Sequence, residues 1–161
     1  THLVMATFAT RAGLELVHVP FKGNGPATSA VLGNQIEILF GGLPPLLPHV
    51  ATGRLRPLAI SSGKRSASAP NVPTVAESGF PGYEGYLWIG AIAPAKTPTE
   101  AIATLSAAFA KAVNTPKVAD RLRADGVEVV GSTPEQFGKI IADELKLWAR
   151  VVRDAKITVS E

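Results

Sequence analysis

Hydrophobic and polar positions in the first third of the chain predict helices and strands in alternation. Apolar residues recur at helical spacing over 1–12, and Gly13 follows as a C-cap. The segments 15–21 and 35–40 have the apolar character of buried strands, and a helix over 26–32 separates them. Because strands and helices alternate, the pattern favours an α/β fold with a mainly parallel sheet in three layers.

Shorter elements follow up to residue 93. The pattern predicts, in chain order, one or two helical turns over 46–51, a strand over 54–61, a short helix over 74–78 and a longer strand over 83–93. A loop rich in Ser, Ala and Pro separates the strand over 54–61 from the helix over 74–78.

The pattern changes after Pro94, where amphipathic helices dominate. Two of them begin at apparent capping boxes, formed by Thr97, Pro98 and Glu100 and by Thr133, Pro134 and Gln136. Between them lie a predicted helix over 117–124 and a strand over 127–130. One short strand cannot cover two amphipathic helices, so we expect exposed apolar faces over 101–113 and 137–152. Such faces favour dimerisation of this chain or its complementation by another chain.

Composition narrows the class of protein. Of 161 residues, 46% are hydrophobic and only 18% are charged, which is typical of a folded protein with one domain or two small lobes. No apolar run approaches the roughly 20 residues of a membrane-spanning helix. The net charge of +3 is scattered, so nucleic acid binding is not expected. The absence of cysteine excludes disulfides, thiolate metal sites and a cysteine nucleophile.

The order of several motifs resembles one transporter family. HVPFKGNGPATSAVLGNQIEILF, followed by GRLRPLAISSGKRSASAPNVPTVAESGFPGYEGYLWIGAIAPAKTP, is similar to the solute receptors of tripartite tricarboxylate transporters, called the TctC or Bug family. The resemblance runs from Thr1 to about Ile157. No single motif is specific for the family, but the combined order of VPFKG, GRLRPLAISS, NVPTVAESG and APAKTP is specific for it.

This resemblance implies a type II periplasmic binding protein fold, in which two α/β lobes close around a ligand. Family members are substantially longer than this chain. By resemblance, residues 1–88 form most of the second ligand-binding lobe, 86–93 cross the hinge, and 94–161 return to the first lobe, whose N-terminal half is absent. The missing half would account for the uncovered helices.

The same resemblance implies a function without catalysis. We expect a periplasmic receptor that captures a small organic acid anion and delivers it to membrane permease subunits, with no cofactor, metal or enzymatic activity. The sequence departs from the family pattern at Phe21, where Tyr is usual, at Glu37, where Asp is usual, and at Asn24, where a second Gly is common. The identity of the carboxylate therefore stays open.

The loop after the second strand is the preferred ligand site. Ligands of parallel α/β sheets bind outside the carboxyl ends of the strands, and by resemblance that point lies between the loop before Thr1 and the loop after Phe40. Gly41 and Gly42 lack side chains, so their backbone N–H groups can approach a carboxylate closely. The alternatives are an ordinary turn for the glycines and a core position for Phe40 rather than a pocket wall.

Four further residues are weaker site candidates. Thr1 and His2 match the family's position at the start of a helix next to the ligand loop, although a plain N-cap explains Thr1 equally and a structural hydrogen bond is the favoured account of His2. Phe21 lacks a hydroxyl that could orient a ligand. Lys22 could pair with a carboxylate, but its strand is expected at the sheet edge, which favours a solvated role.

Other functions have less support in the residues. His18 and His49 share no metal-ligand spacing, and SSGKRSAS lacks the glycine-rich turn of a phosphate loop. We find no Ser/His/Asp set or carboxylate pair that indicates an enzyme. The main alternative is the effector-sensing domain of a transcription regulator, which uses the same two-lobed architecture.

Overall fold

The structure, a computed structural model, describes residues 1–154 and 157. Six helices are present in this part of the chain: α1 (His2–Ala12), α2 (Asn24–Leu32), α3 (Leu43–Ala51), α4 (Thr99–Val113), α5 (Pro116–Ala124) and α6 (Pro134–Asp154). These six confirm helices predicted from the sequence, although α2 and α3 begin earlier than expected, at Asn24 and Leu43. The helix predicted over 74–78 is wrong, because that segment forms only a hydrogen-bonded turn.

Local interactions end α1 and begin α6 as the sequence predicts. Gly13 has the left-handed φ of 63°, and Leu14 N–H donates to the Ala9 carbonyl oxygen over 2.9 Å. Before α6, Thr133 N–H donates to Gln136 Oε1 over 2.9 Å, and Gln136 N–H donates to Thr133 Oγ1 over 3.2 Å. The second capping box is therefore confirmed.

The capping box predicted at the start of α4 is wrong. Pro98, rather than Thr97, occupies the N-cap position, and no side chain caps this helix. Because the helix begins one residue later than predicted, the Thr97 hydroxyl lies outside the position from which it reaches an orphan helix N–H.

The predicted sheet is not confirmed. Among residues 1–154 the only β-pairing is a single parallel bridge between Ile60 and Thr74, with 2.9 Å bonds from Ile60 N–H to Pro73 and from Val75 N–H to Ile60. Next to this bridge, Gly85 N–H donates to the Ser61 carbonyl oxygen over 2.9 Å. The other segments expected as strands, 15–21, 35–40, 83–93 and 127–130, form no ladder in the described residues. A strand needs a neighbour to pair its N–H and C=O groups, and apart from the single Gly85 bond these segments have no such pairing.

The chain divides into two compact units. One contains Thr1–Leu87 with the described residues from Val151 on, and the other contains Trp88–Arg150. The assignment of 1–88, 86–93 and 94–161 to lobes and a hinge stays a prediction. Buried hydrophobic residues of the first unit, among those described, are Val4, Ala27, Ala30, Val72, Val75 and Tyr83. In the second unit Ala119 alone falls in this class within the described part of the chain.

The second unit exposes much of its apolar surface. Leu105 and Phe109 on α4 are 49% and 55% exposed, and Leu145 on α6 is 66% exposed. Other positions of the two predicted apolar stripes, such as Ile102 and Phe137, are half-buried. None of the helices within residues 1–154 has both the length and the hydropathy that a bilayer crossing requires.

An aromatic cluster orders the start of the second unit. The indole N–H groups of Trp88 and Trp148 both donate to Glu144 Oε2, over 2.9 Å and 3.1 Å. The ring of Phe137 meets Trp88 edge-on, with centroids 4.9 Å apart, and lies so close to Gly90 that no side chain fits there. Trp88 therefore packs as a structural residue within this unit.

Candidate functional site

The turn at Gly41 and Gly42 leads directly into the N-terminus of α3. Gly42 is the N-cap, with φ of −62° and ψ of 137°, and no side chain caps the helix. The first turn contains Pro44 and Pro45, which have no N–H to donate. In the described part of the chain, the N–H groups of Gly41, Gly42 and Leu43 have no hydrogen-bond partner. Three consecutive half-buried donors are thus available at one helix N-terminus.

The Asn24 carboxamide lies across this glycine turn. A Cβ atom built on Gly41 would lie 3.4 Å from Asn24 Oδ1, and one built on Gly42 would lie 3.4 Å from Asn24 Nδ2. Asn24 is the first residue of α2, and α2 contacts α3. From the sequence alone, Asn24 stands out only as a departure from a family pattern. A polar residue at a helix start in a glycine-rich loop was the signal that could have found it.

The VPFKG loop precedes Asn24 and is held in a tight turn. Gly23 N–H donates to the Phe21 carbonyl oxygen over 2.9 Å, so Lys22 occupies the middle of a three-residue turn. Gly23 has φ of 102° and serves as the N-cap of α2. Phe21 and Lys22 are both exposed. Through Asn24 this loop lies beside the glycine turn, but no described contact joins Phe21 or Lys22 to it.

Apolar side chains surround the same turn. The positions where Cβ atoms would stand on Gly41 and Gly42 lie 3.7 Å from Leu46 Cδ1 and 3.8 Å from Leu87 Cδ2, respectively. Phe40 is half-buried, which leaves both a wall and a core role open. The turn therefore combines free backbone donors with apolar surroundings, an arrangement suited to the carboxylate and methylene groups of an organic acid.

Thr1 and His2 are engaged elsewhere in the first unit. Thr1 is the N-cap of α1, but its side chain makes no capping hydrogen bond. The imidazole of His2 stacks on that of His18, with ring centroids 3.7 Å apart and planes within 5°. Partial burial, together with the adjacent His18, lowers the pKa of His2. Among the described residues no hydrogen bond or ring contact joins Thr1 or His2 to Gly41 and Gly42.

The electrostatics of the three helix N-termini favour an anion. The first turns of α1, α2 and α3 contain no acidic side chain. Each helix N-terminus carries partial positive charge, and here no carboxylate of the same helix neutralises it. No group of three or more His, Asp or Glu side chains that could hold a metal ion occurs in the described part of the chain.

Comparison with known proteins gives one consistent match. A family model described as "Tripartite tricarboxylate transporter family receptor" covers residues 1–157. The chain is 37% identical over 153 residues to BugT of Bordetella pertussis, an alignment that covers 95% of this chain and 47% of BugT.

Solved structures share the fold. The structure of R. palustris Rpa4515 with adipate matches with a TM-score of 0.90 and 32% identity over 98% of this chain and 52% of that protein. The periplasmic binding protein BugD matches with a TM-score of 0.89 and 27% identity, over 98% of this chain and 53% of BugD. MatC (Rpa3494) from Rhodopseudomonas palustris with bound malate gives 0.83 and 27%, over 94% and 53%. The chain thus spans about half the length of BugT and of each of these structures.

Proposed function

Because this chain belongs to the tripartite tricarboxylate transporter receptor (TctC) family, we propose that it forms part of a periplasmic receptor that captures a small dicarboxylate. The receptor would deliver this anion to membrane permease subunits. Two structures similar to this chain hold adipate and malate, which are both dicarboxylates. The periplasmic location and the permease partner are proposed for the whole receptor, because BugT is about twice as long as this chain.

The free donors at the start of α3 carry this proposal. The N–H groups of Gly41, Gly42 and Leu43 point to an anion ligand because they are adjacent and no residue that the structure describes accepts from them. A carboxylate accepts such bonds more strongly than a neutral oxygen does. The lack of acidic residues in the first turn of α3 removes the main competitor for these donors.

Neighbouring residues supply the rest of the proposed subsite. Leu46 and Leu87 would contact the methylene groups of the ligand, and the ring of Phe40 would close one side. Phe21, Lys22, Thr1 and His2 remain secondary candidates whose contribution belongs to the whole cleft. Binding is the whole task of such a receptor, and closure of its two lobes around the anion would produce the shape that the permease recognises.

A thermal-shift screen of the full-length protein against mono-, di- and tricarboxylates tests the proposal. A ligand that binds only the native state raises the melting temperature, so we expect dicarboxylates to do so. Gly42→Ala adds a methyl group beside the free donors and should reduce the shift. Gly138→Ala on α6 is the matched control, since its Cβ meets nothing within 4 Å, and should preserve it. A melting temperature that rises with sugars or nucleotides, and with no organic acid, would contradict the receptor function.

A further inference from the structure

Two stacked imidazole rings connect the segment 14–22 to the first helix. His2, the first residue of α1, and His18 lie face to face, with ring centroids 3.7 Å apart and planes within 5°. Residues 13–26 are exposed throughout, so no buried side chain anchors this segment. Among the described residues, those from Glu15 to Lys22 form no hydrogen bond with a residue outside 14–23. The ring stack therefore holds the middle of the segment on α1.

The same segment leads directly to the proposed ligand site. It ends at Gly23, which is the N-cap of α2. The next residue, Asn24, places its carboxamide beside the glycine turn, with Oδ1 3.4 Å from where a Cβ atom would stand on Gly41. A change in how the segment lies on α1 is therefore passed on to the start of α2 and to this turn.

The surroundings of the stack favour two neutral rings. Partial burial, the His18 imidazole and the amino group of Thr1 all lower the pKa of His2. His2 also begins a helix, whose N-terminus carries partial positive charge. On the segment of His18 the nearest charged residues are Glu15 and Lys22, and neither forms an ion pair in the described part of the chain. A positive charge on either ring thus gains no ion pair there.

From this geometry we infer that His2 and His18 form a pH-sensitive latch. Neutral rings stack and hold the segment 14–22 on α1. Acid protonates both rings, which places two positive charges side by side at one helix N-terminus, and the rings separate. The released segment then loosens the start of α2 beside the glycine turn, so acid weakens binding of the anion. This last step rests on the proposed function, whereas the opening of the latch does not.

A spin label on the segment tests the opening of the latch without a ligand. The chain contains no cysteine, so Val17→Cys, at a side chain that is 92% exposed, gives a single site for a nitroxide. Electron paramagnetic resonance of the 161-residue chain measures the mobility of the label, which should increase from about pH 8 to about pH 5. A label at Leu58→Cys, exposed in the same unit, is the control and should keep its mobility.

Two variants of His18 separate the charge of the ring from its stacking. His18→Phe keeps an aromatic ring against His2 but cannot gain a proton, so the label at position 17 should keep low mobility over the whole pH range. His18→Asn removes the ring, so the label should be mobile at every pH. Both substitutions change an exposed side chain and should preserve the fold.

Adipate, a dicarboxylate of the proposed ligand class, is the probe for the effect on binding. Titration calorimetry on the full-length protein measures its affinity at the same two pH values. The native protein should lose about two- to tenfold more affinity in acid than His18→Phe, which is the size of effect that a perturbed imidazole supplies. Protonation of adipate is the same for both proteins and cancels in this comparison.

The outcomes separate the latch from the proposed function. Unchanged mobility at Val17→Cys, an equal increase at Leu58→Cys, or a His18→Phe variant that loosens in acid as the native chain does would overturn the latch. If the native protein and His18→Phe lose the same affinity for adipate, the latch does not act on the ligand site and the inference fails while the receptor function stands. If no carboxylate binds at any pH, the proposed function fails, and the spin label still decides whether the latch opens.

Discussion

The phenolic hydroxyl of Tyr83 donates a 2.7 Å hydrogen bond to the carbonyl oxygen of Val4, which joins the first helix to a loop 79 residues away in the sequence. Both residues are buried, with 2% and 6% of their surface exposed. Phe8 lies edge-on to Tyr83, with centroids 6.1 Å apart, and Arg11 lies over its ring at 5.9 Å. The contact fixes α1 against the core of the first unit.

Tyr83→Phe should destabilise the first unit by about 0.5–1.5 kcal/mol, because it removes this hydrogen bond and keeps the ring. Urea unfolding followed by circular dichroism measures the change. Tyr86→Phe removes a hydroxyl that donates to Glu84 on the exposed surface, and it should cost less. Equal losses of stability for the two variants would mean that the hydrogen bond to Val4 contributes no more than an exposed one.

Stability should fall at alkaline pH through the same residue. Burial raises the pKa of Tyr83 from 10.0 to about 12, although the nearby Arg11 opposes this. The folded chain therefore keeps the phenol proton in a range where the unfolded chain loses it, so the stabilisation is complete below pH 10 and is lost as the pH rises towards 12. Across this range the free energy of unfolding should fall more for the native chain than for Tyr83→Phe. Parallel pH curves for the two proteins would contradict the assignment.

Gly85→Ala should destabilise the same region by about 1–3 kcal/mol through overpacking. A Cβ atom at this position would lie 2.5 Å from Val4 Cγ1, which is closer than carbon atoms approach without a shift of the helix or the loop. Thermal unfolding compared with Gly138→Ala, whose added methyl meets open space, isolates the steric effect. An unchanged melting temperature for Gly85→Ala would show that α1 moves away without cost.

The stacked pair of His2 and His18 should respond to acid. Because burial and the neighbouring imidazole lower the pKa of His2 from 6.5, the folded state binds its proton less readily than the unfolded state does. The contribution of His2 to stability is therefore present above pH 6.5 and is lost as the pH falls through its lowered pKa.

Titration of the imidazole resonances by NMR measures this directly. The midpoint of His2 should lie below 6.5 and should rise when His18→Asn removes the second imidazole. A midpoint of His2 that does not move in the His18→Asn variant would exclude coupling between the two rings.

The 161-residue chain should self-associate through its uncovered apolar residues. Leu145 on α6 is 66% exposed and Phe109 on α4 is 55% exposed. Such apolar side chains favour contact with a second copy of the chain. Light scattering over a range of concentrations should show dimers or larger species, and Leu145→Lys should reduce them with little cost in stability. Lys146→Arg conserves charge on the neighbouring position and serves as the control. A monodisperse monomer at all concentrations would contradict this prediction.

Helix positions were predictable wherever the signal was local. Gly13 ends α1 and the Thr133–Gln136 pair begins α6, and each depends on residues at most a few positions apart. The same reasoning failed at Thr97, because the choice of Pro98 as N-cap depends on how the chain enters the helix. The sheet could not be confirmed because ladders require partners, and the described residues supply only the bridge between Ile60 and Thr74.

The candidate site was predictable only in part. The glycine turn after Phe40 followed from the sequence pattern, and it stands at the uncapped start of α3, whereas its role as a ligand site stays a prediction. The position of the Asn24 carboxamide beside this turn could not be predicted from the sequence, because Asn24 and Gly41 belong to different elements. Likewise His2 and His18 share no recognisable spacing, although their rings lie 3.7 Å apart.

The family, most helix boundaries and the glycine turn were predictable, since they depend on motif order and on interactions between near neighbours in the chain. Only the tertiary structure placed Asn24 on Gly41 and Gly42 and Tyr83 on the carbonyl of Val4. The physical reason is that contacts between distant segments form only when the packing of whole elements brings them together. Residue type alone does not specify which distant partner a side chain meets.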